Sequence, residues 1–468
     1  MTAILRRDHF LLAALLIAQA TLLVWLTGLM SAPQAALVVM GAAAAATFAP
    51  AALGQTFARI RTLAGHLSWW HALWALLFCS DFVFRVRDVQ SIEDNPLDAW
   101  ALYRVALVGV CGFVLLWRLV TRHGEWLQSL FSGLLLVMAA FPLAGLISTG
   151  WSVYPSWTLY KSIELLIDIA VCAAAIAAAG GSLGLKSLFD WTWILFALIQ
   201  CSVWVGALVA PALALQPASG MLHFQLAGVM PDLSSNGVGH IAALLAVVAL
   251  SRLAASRGNA LIYAPMLAAS LATLVLSQTR SALIGFAAGA VLVLLLSGRM
   301  LVLFALSIMA AMTLLATSAG SDFLEFFRRG QSAEMFASLS GRMDWWNFAW
   351  QRFLERPLLG FGAFAGGRFA ALAEMGDSLT SSVHNTYLEA ILGLGVAGIV
   401  PLIACLAASW WRLLRSRTTP LAIEAVGVLA VLTVRSVFTT DLIWHPALPW
   451  LLVLGLAELL RREARAAV

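Results

Sequence analysis

Near neutral pH few side chains exchange a proton as readily as histidine. His384 stands at a helix start in the stretch Ser381-Ser382-Val383-His384-Asn385-Thr386-Tyr387-Leu388-Glu389. There it could take the proton of an attacking hydroxyl, with Glu389 one turn further along to orient or charge the ring and Asn385 beside it in support. The other reading is a cap or surface residue. Ser277-Gln278-Thr279-Arg280-Ser281 gathers hydroxyl and amide side chains about one guanidinium, a donor set that suits phosphate and also makes an ordinary tight turn. Lys161, Glu164 and Asp168 fall at i, i+3 and i+7, so one helix face carries a cation and two carboxylates. They either neutralise one another or belong to a substrate site. Arg104, Lys161, Arg280 and Arg435 each lie at the outer end of an apolar run, where a cation snorkels or meets an anion. A membrane-embedded phosphate or pyrophosphate would give all four a partner. Gly360–Gly367 looks like a phosphate loop, but no strand precedes it and no GK[ST] ends it, so it reads as a flexible loop element. With no Walker motif, HExxH, DxD or serine elbow, nothing supports ATP hydrolysis, zinc proteolysis or metal-dependent transfer from a nucleotide sugar.

The elements that hold these residues are set by lipid. The 468 residues are 62% hydrophobic and 11% charged, with mean hydropathy +0.92, and apolar runs long enough for a crossing helix recur along the whole chain. The fold class is all-α: a polytopic membrane protein of about 14 (12–14) transmembrane helices with one long outer loop containing short helices. The spans are read at 10–30, 35–53, 67–84, 99–117, 127–148, 160–179, 191–213, 237–251, 259–277, 281–297, 300–318, 386–409, 421–439 and 444–460. The first follows Arg6 and Arg7 and is read as a retained helix rather than a signal peptide. With a cytoplasmic N-terminus, inner connections collect 16 of the 28 Lys and Arg residues, which puts both termini inside. The long hydrophilic segment Ser321 to Val383 then lies outside, with the Trp151–Trp157 and Ala214–Ser235 loops. Within it, Gly341 to Glu355 reads as an amphipathic helix with Trp346, Ala349, Trp350 and Phe353 on one face, stopped by Pro357. The five cysteines fall inside apolar runs without CxxC spacing and read as packing residues. The net charge of +5 forms no basic cluster with interleaved aromatics, which argues against nucleic acid. No matched pair of broken helices suggests an inverted-repeat transporter.

Three stretches in order, SQTRSALIGFAAG, GRMDWWNFAWQRFLERPLLGFGAF and HNTYLEAILGLGVAG, resemble the bacterial O-antigen ligase and polymerase family. WSVYPSWTLYKSIELL and SSNGVGHIAALLAVVAL are similar to weaker N-terminal signals of that family. The specific part covers Ser277 to Val400, and the domains are drawn as an N-terminal bundle 1–276, a ligase-like core 277–400 with a periplasmic loop 319–384, and C-terminal helices 401–468. The resemblance implies an inner-membrane enzyme that moves a glycan from an undecaprenyl-pyrophosphate-linked donor at the periplasmic face, without nucleotide, cofactor or obligatory metal. It maps the arginines of the family onto Arg280 and Arg342 and its histidine onto His384, while Lys161 stands where members often carry arginine. The implied mechanism has Arg280, Arg342 and Lys161 hold the pyrophosphate and His384 act on the acceptor hydroxyl, with Asn385, Glu389, Ser277 and Arg435 in support. The acceptor separates a surface-polysaccharide or exopolysaccharide polymerase from a ligase onto lipid A core and from a protein O-oligosaccharyltransferase. The style of WSVYPSWTLYKS favours the polymerase. Outside the class, a flippase or transporter for the lipid-linked glycan calls for charges along a mid-membrane path rather than at outer span ends. A purely structural anchor leaves the arginine-rich loop unexplained.

Overall fold

The computed structural model describes residues 50–81, 94–95, 97–121, 123–219, 222–255, 260–316, 319–376, 380, 382–445 and 447–466. The expected span 10–30 and nearly all of 35–53 lie outside the described residues. In lipid every backbone N–H and C=O has to be met within its own segment, and the apolar runs accordingly fold as helices. Five of those described are long and apolar enough to cross a membrane: Ala99–Val120, Pro155–Ala179, Ser182–Val209, Ser235–Ala254 and Val396–Arg415. Gly133–Ser148, Ala260–Leu276 and Arg280–Leu296 are shorter apolar helices. The only strands among the described residues are Leu215–Pro217 and Phe224–Leu226, an antiparallel pair with Gln216 opposite Gln225. The fold is therefore mostly helical.

The described residues form two compact units, one within 1–66, 191–336 and 417–434, the other within 67–190, 337–416 and 435–468. In the first, Ser235–Ala254 is the central helix; its small and aliphatic residues Ala242 through Ala249 are wholly enclosed, with Ala260–Leu276 and Arg280–Leu296 packed against it. Close helix approach in lipid relies on small residues. A Cβ on Gly289 would lie 2.8 Å from the Gly427 carbonyl and 2.9 Å from Val247. At one end of this unit Glu424 receives Arg252 through two nitrogens, at 2.8 and 2.9 Å, and the Trp193 indole at 2.8 Å.

The second unit is built around Pro155–Ala179. Proline at its first turn costs no hydrogen bond, and Gly180 closes it in the left-handed region at φ 66. Residues Ile169 through Ile176 are buried. Trp69–Ser80, Ala99–Val120, Gly133–Ser148 and Leu448–Ala466 pack around it.

The apolar run 386–409, expected as one span, is two helices, Thr386–Leu394 and Val396–Arg415. Gly395 breaks it at φ 61 and ψ −149, a conformation open to glycine alone, so that the Val396 N–H reaches the Pro357 carbonyl at 2.9 Å. A side chain there would collide with the Pro357 and Leu358 carbonyls. Gly395→Ala is expected to cost about 1–3 kcal/mol from backbone strain alone. A lowered unfolding midpoint in detergent checks it, and an unchanged midpoint would mean that the two helices straighten without loss.

Gly360–Gly367, expected as a flexible loop, is buried from end to end. Phe361 and Gly362 donate to the Leu392 and Gly393 carbonyls at 2.8 and 2.9 Å, and the Ala363 carbonyl accepts from Thr158 at 2.8 Å. Cβ atoms on Gly360 or Gly366 would come within 2.6 Å of the Leu392 carbonyl. The glycines serve close packing under the Thr386 helix, and that packing removes the freedom that composition suggests.

Candidate functional site

The aromatic helix Arg342–Glu355 forms where the apolar period places it, with Gly341 before it at φ 82 and Ala349 buried. Arg342 is its first residue, half-buried, with one guanidinium nitrogen 3.2 Å from the Phe438 carbonyl. The Trp346 indole donates to the Val383 carbonyl at 2.9 Å, which ties this helix to the turn that bears His384. Asn385 caps the following helix: its side-chain oxygen accepts from the Tyr387 and Leu388 N–H groups at 2.9 and 3.0 Å.

His384 itself has φ 51, left-handed for a residue with a side chain. Its ring lies 5.9 Å from the Trp345 ring, centroid to centroid. The strain is held by neighbours: the Val383 N–H donates to Glu389 Oε1 at 2.7 Å and the His384 N–H to the Ser382 hydroxyl at 3.3 Å. Glu389 thus acts on the backbone that carries the histidine. Its second oxygen makes no hydrogen bond and packs against Gly367. A cleft of about 510 Å³ opens beside these residues, between Trp346, Asn347 and Trp350 on one helix and Asn385, Tyr387 and Leu388 on the other.

Arg435 is buried and donates to Asp441 at 3.0 Å. Lys161 points at Glu164, 2.7 Å away, and its ammonium is ringed by Trp157, Tyr160 and Trp444 at 5.1–5.5 Å. Glu164 also takes Arg104 through two nitrogens, at 2.5 and 3.0 Å, and the Tyr160 hydroxyl at 2.7 Å. Asp168, one turn on and wholly buried, faces His445 Nδ1 with both oxygens at 2.7 Å. His445 went unnoticed in the sequence. The signal that could have found it was Asp168, because a carboxylate inside a span demands a partner.

Ser277 and Arg280 belong to the first unit. Ser277 and Thr279 donate to backbone carbonyls, Leu274 and Ser235, both at 2.9 Å, and the Gln278 amide donates to the Phe224 carbonyl. These side chains build the turn. Arg280 leaves it at the head of its helix, 2.5 Å from Gln331 and 5.2 Å from the centre of the Phe336 ring. Among the described residues no three His, Cys, Asp or Glu side chains gather so as to hold a metal ion.

Residues 265–403 match the family model described as O-antigen ligase. This segment belongs to the O-antigen ligase family. No curated protein matches the chain. The O-antigen ligase segment spans under a third of the chain and contains Ser277, Arg280, Arg342, His384, Asn385 and Glu389, while Lys161 and Arg435 fall outside it. With its apolar helices, the chain is a multi-pass membrane protein, and its segment 265–403 is similar to an enzyme family that ligates or polymerises glycans.

Proposed function

We propose that the chain transfers a glycan from undecaprenyl pyrophosphate to an acceptor hydroxyl at the periplasmic face of the bacterial inner membrane, as a surface-polysaccharide polymerase. In this reading about fourteen helices cross the bilayer, with both termini cytoplasmic. The supporting observation is local to the second unit. Arg342 bonds the Phe438 carbonyl, and Thr386, two residues after His384, bonds the Thr439 carbonyl at 2.7 Å. A guanidinium for a leaving pyrophosphate and an imidazole for an incoming hydroxyl are thereby tied to adjacent peptide units.

In the proposed reaction the acceptor oxygen attacks C1 of the donor sugar as its proton passes to His384. The bond from C1 to the pyrophosphate oxygen breaks, and undecaprenyl pyrophosphate leaves with the bonding electrons. Attack from the side opposite the leaving group inverts C1. Arg342 and Lys161 are assigned to the pyrophosphate charge, Asn385 and Glu389 to the posture of His384, and Arg435 to the segment beside them, all within the second unit, while Arg280 and Ser277 enter through the resemblance alone.

The test is the lipid-linked and surface glycan profile of a deletion strain carrying the wild-type chain or Arg280→Ala. Single repeats accumulating on undecaprenyl pyrophosphate without the wild-type chain would support a polymerase. Long polymer on the lipid with a bare surface would indicate a ligase. A profile that does not change on deletion would remove the proposal.

A further inference from the structure

Residues 436–445 join Pro420–Ser436 to Leu448–Ala466, and in sequence they look like an ordinary connection. Within the second unit they bond to three separate places. Near the start, the Ser436 hydroxyl meets the Tyr387 hydroxyl at 2.8 Å, the Phe438 carbonyl takes Arg342, and the Thr439 carbonyl takes Thr386. In the middle, Asp441 takes Arg435, and the Ile443 and Trp444 N–H groups turn back to the Thr440 carbonyl, both at 3.2 Å. At the far end, the His445 carbonyl accepts from Arg104 at 3.3 Å, and its ring is clamped on both nitrogens.

The clamp is specific to an imidazole. Ser80 donates its hydroxyl proton to the Leu77 carbonyl at 2.7 Å, so at 2.6 Å from His445 it can only accept, and Nε2 carries a hydrogen. Nδ1 faces both Asp168 oxygens, so a further proton lies between ring and carboxylate. Ser80, Asp168 and His445 are all buried. No other side chain supplies two opposed ring nitrogens of this kind.

We propose that residues 436–445 are a strap that sets the posture of Arg342 and of the helix start bearing His384, and that His445 is its anchor, a positioning residue for glycan transfer. The proposal rests on the roles assigned above to Arg342 and His384, but the strap itself can be measured without any chemistry. His445→Ala should speed amide hydrogen exchange at both 342–346 and 384–394 in the detergent-solubilised chain. With lipid-linked glycan as donor, kcat should fall on the order of 10²-fold with little change in KM, the effect of misplacing reacting groups by about 1 Å. His445→Asn, which keeps one bond to Asp168, should recover part of the loss.

Unchanged exchange at both segments in a folded His445→Ala protein would overturn the strap. Faster exchange with unchanged kcat would overturn its part in transfer. Faster exchange in a chain whose wild type shows no transfer would leave the strap standing and remove the proposed function instead. If His445→Ala does not fold, Thr386→Val combined with Tyr387→Phe cuts the opposite end, and the same two readouts decide.

Discussion

His384→Ala is expected to lower glycan transfer in membranes by about 10²- to 10⁴-fold, the range in which a positioned proton acceptor contributes to a reaction. The ring sits on a left-handed residue whose backbone is fixed by Glu389 and Ser382. The next residue, Asn385, lines the cleft between Trp346 and Tyr387. Alanine relieves strain at φ 51 only slightly, since it too carries a Cβ, so the folded chain should persist and the loss should appear in turnover. The assay is transfer from lipid-linked glycan in membranes containing equal amounts of wild type and variant. Full activity in the variant would take the proton-accepting role away from this residue.

The second large effect concerns stability. Removing one partner from a buried charge cluster leaves the others without compensation, at about 3–5 kcal/mol. Glu164 is the partner on which most depends: Arg104, Lys161 and the Tyr160 hydroxyl all converge on its two oxygens. Glu164→Ala should therefore unfold at markedly lower denaturant or temperature in detergent, and more severely than Lys161→Ala, which removes one of its three donors. Equal unfolding midpoints for Glu164→Ala and wild type would show that water reaches the cluster and that its charges are not buried in solution.

Much of the helical fold was legible because apolar runs in lipid have one outcome. The amphipathic helix, read as Gly341 to Glu355, was equally plain from its aromatic period and forms over Arg342–Glu355. What escaped reading were places where apolar composition hides a local event. Gly395 sits inside an unbroken apolar run, and nothing in hydropathy distinguishes a glycine that turns the chain from one that merely packs. Gly360–Gly367 has the composition of a mobile loop, yet it is buried because those glycines admit neighbouring carbonyls. At the candidate site, His384 stood out by residue type and by resemblance, and Arg342 by resemblance alone. That Glu389 acts on the Val383 N–H depended on a turn geometry that spacing alone does not reveal. His445 was invisible for a different reason: its partners Asp168 and Ser80 lie 277 and 365 residues away.

That separation has a bearing on how the chain is made. Asp168 enters the bilayer with its helix, but the imidazole that meets it is 277 residues further along. At about 5–20 residues per second of synthesis, that is roughly 15–55 s. For this interval the carboxylate has no permanent counterpart and needs water, a proton or the flank of the insertion machinery to shelter it. Ribosome pausing or truncation before residue 445 would leave Asp168 without this imidazole.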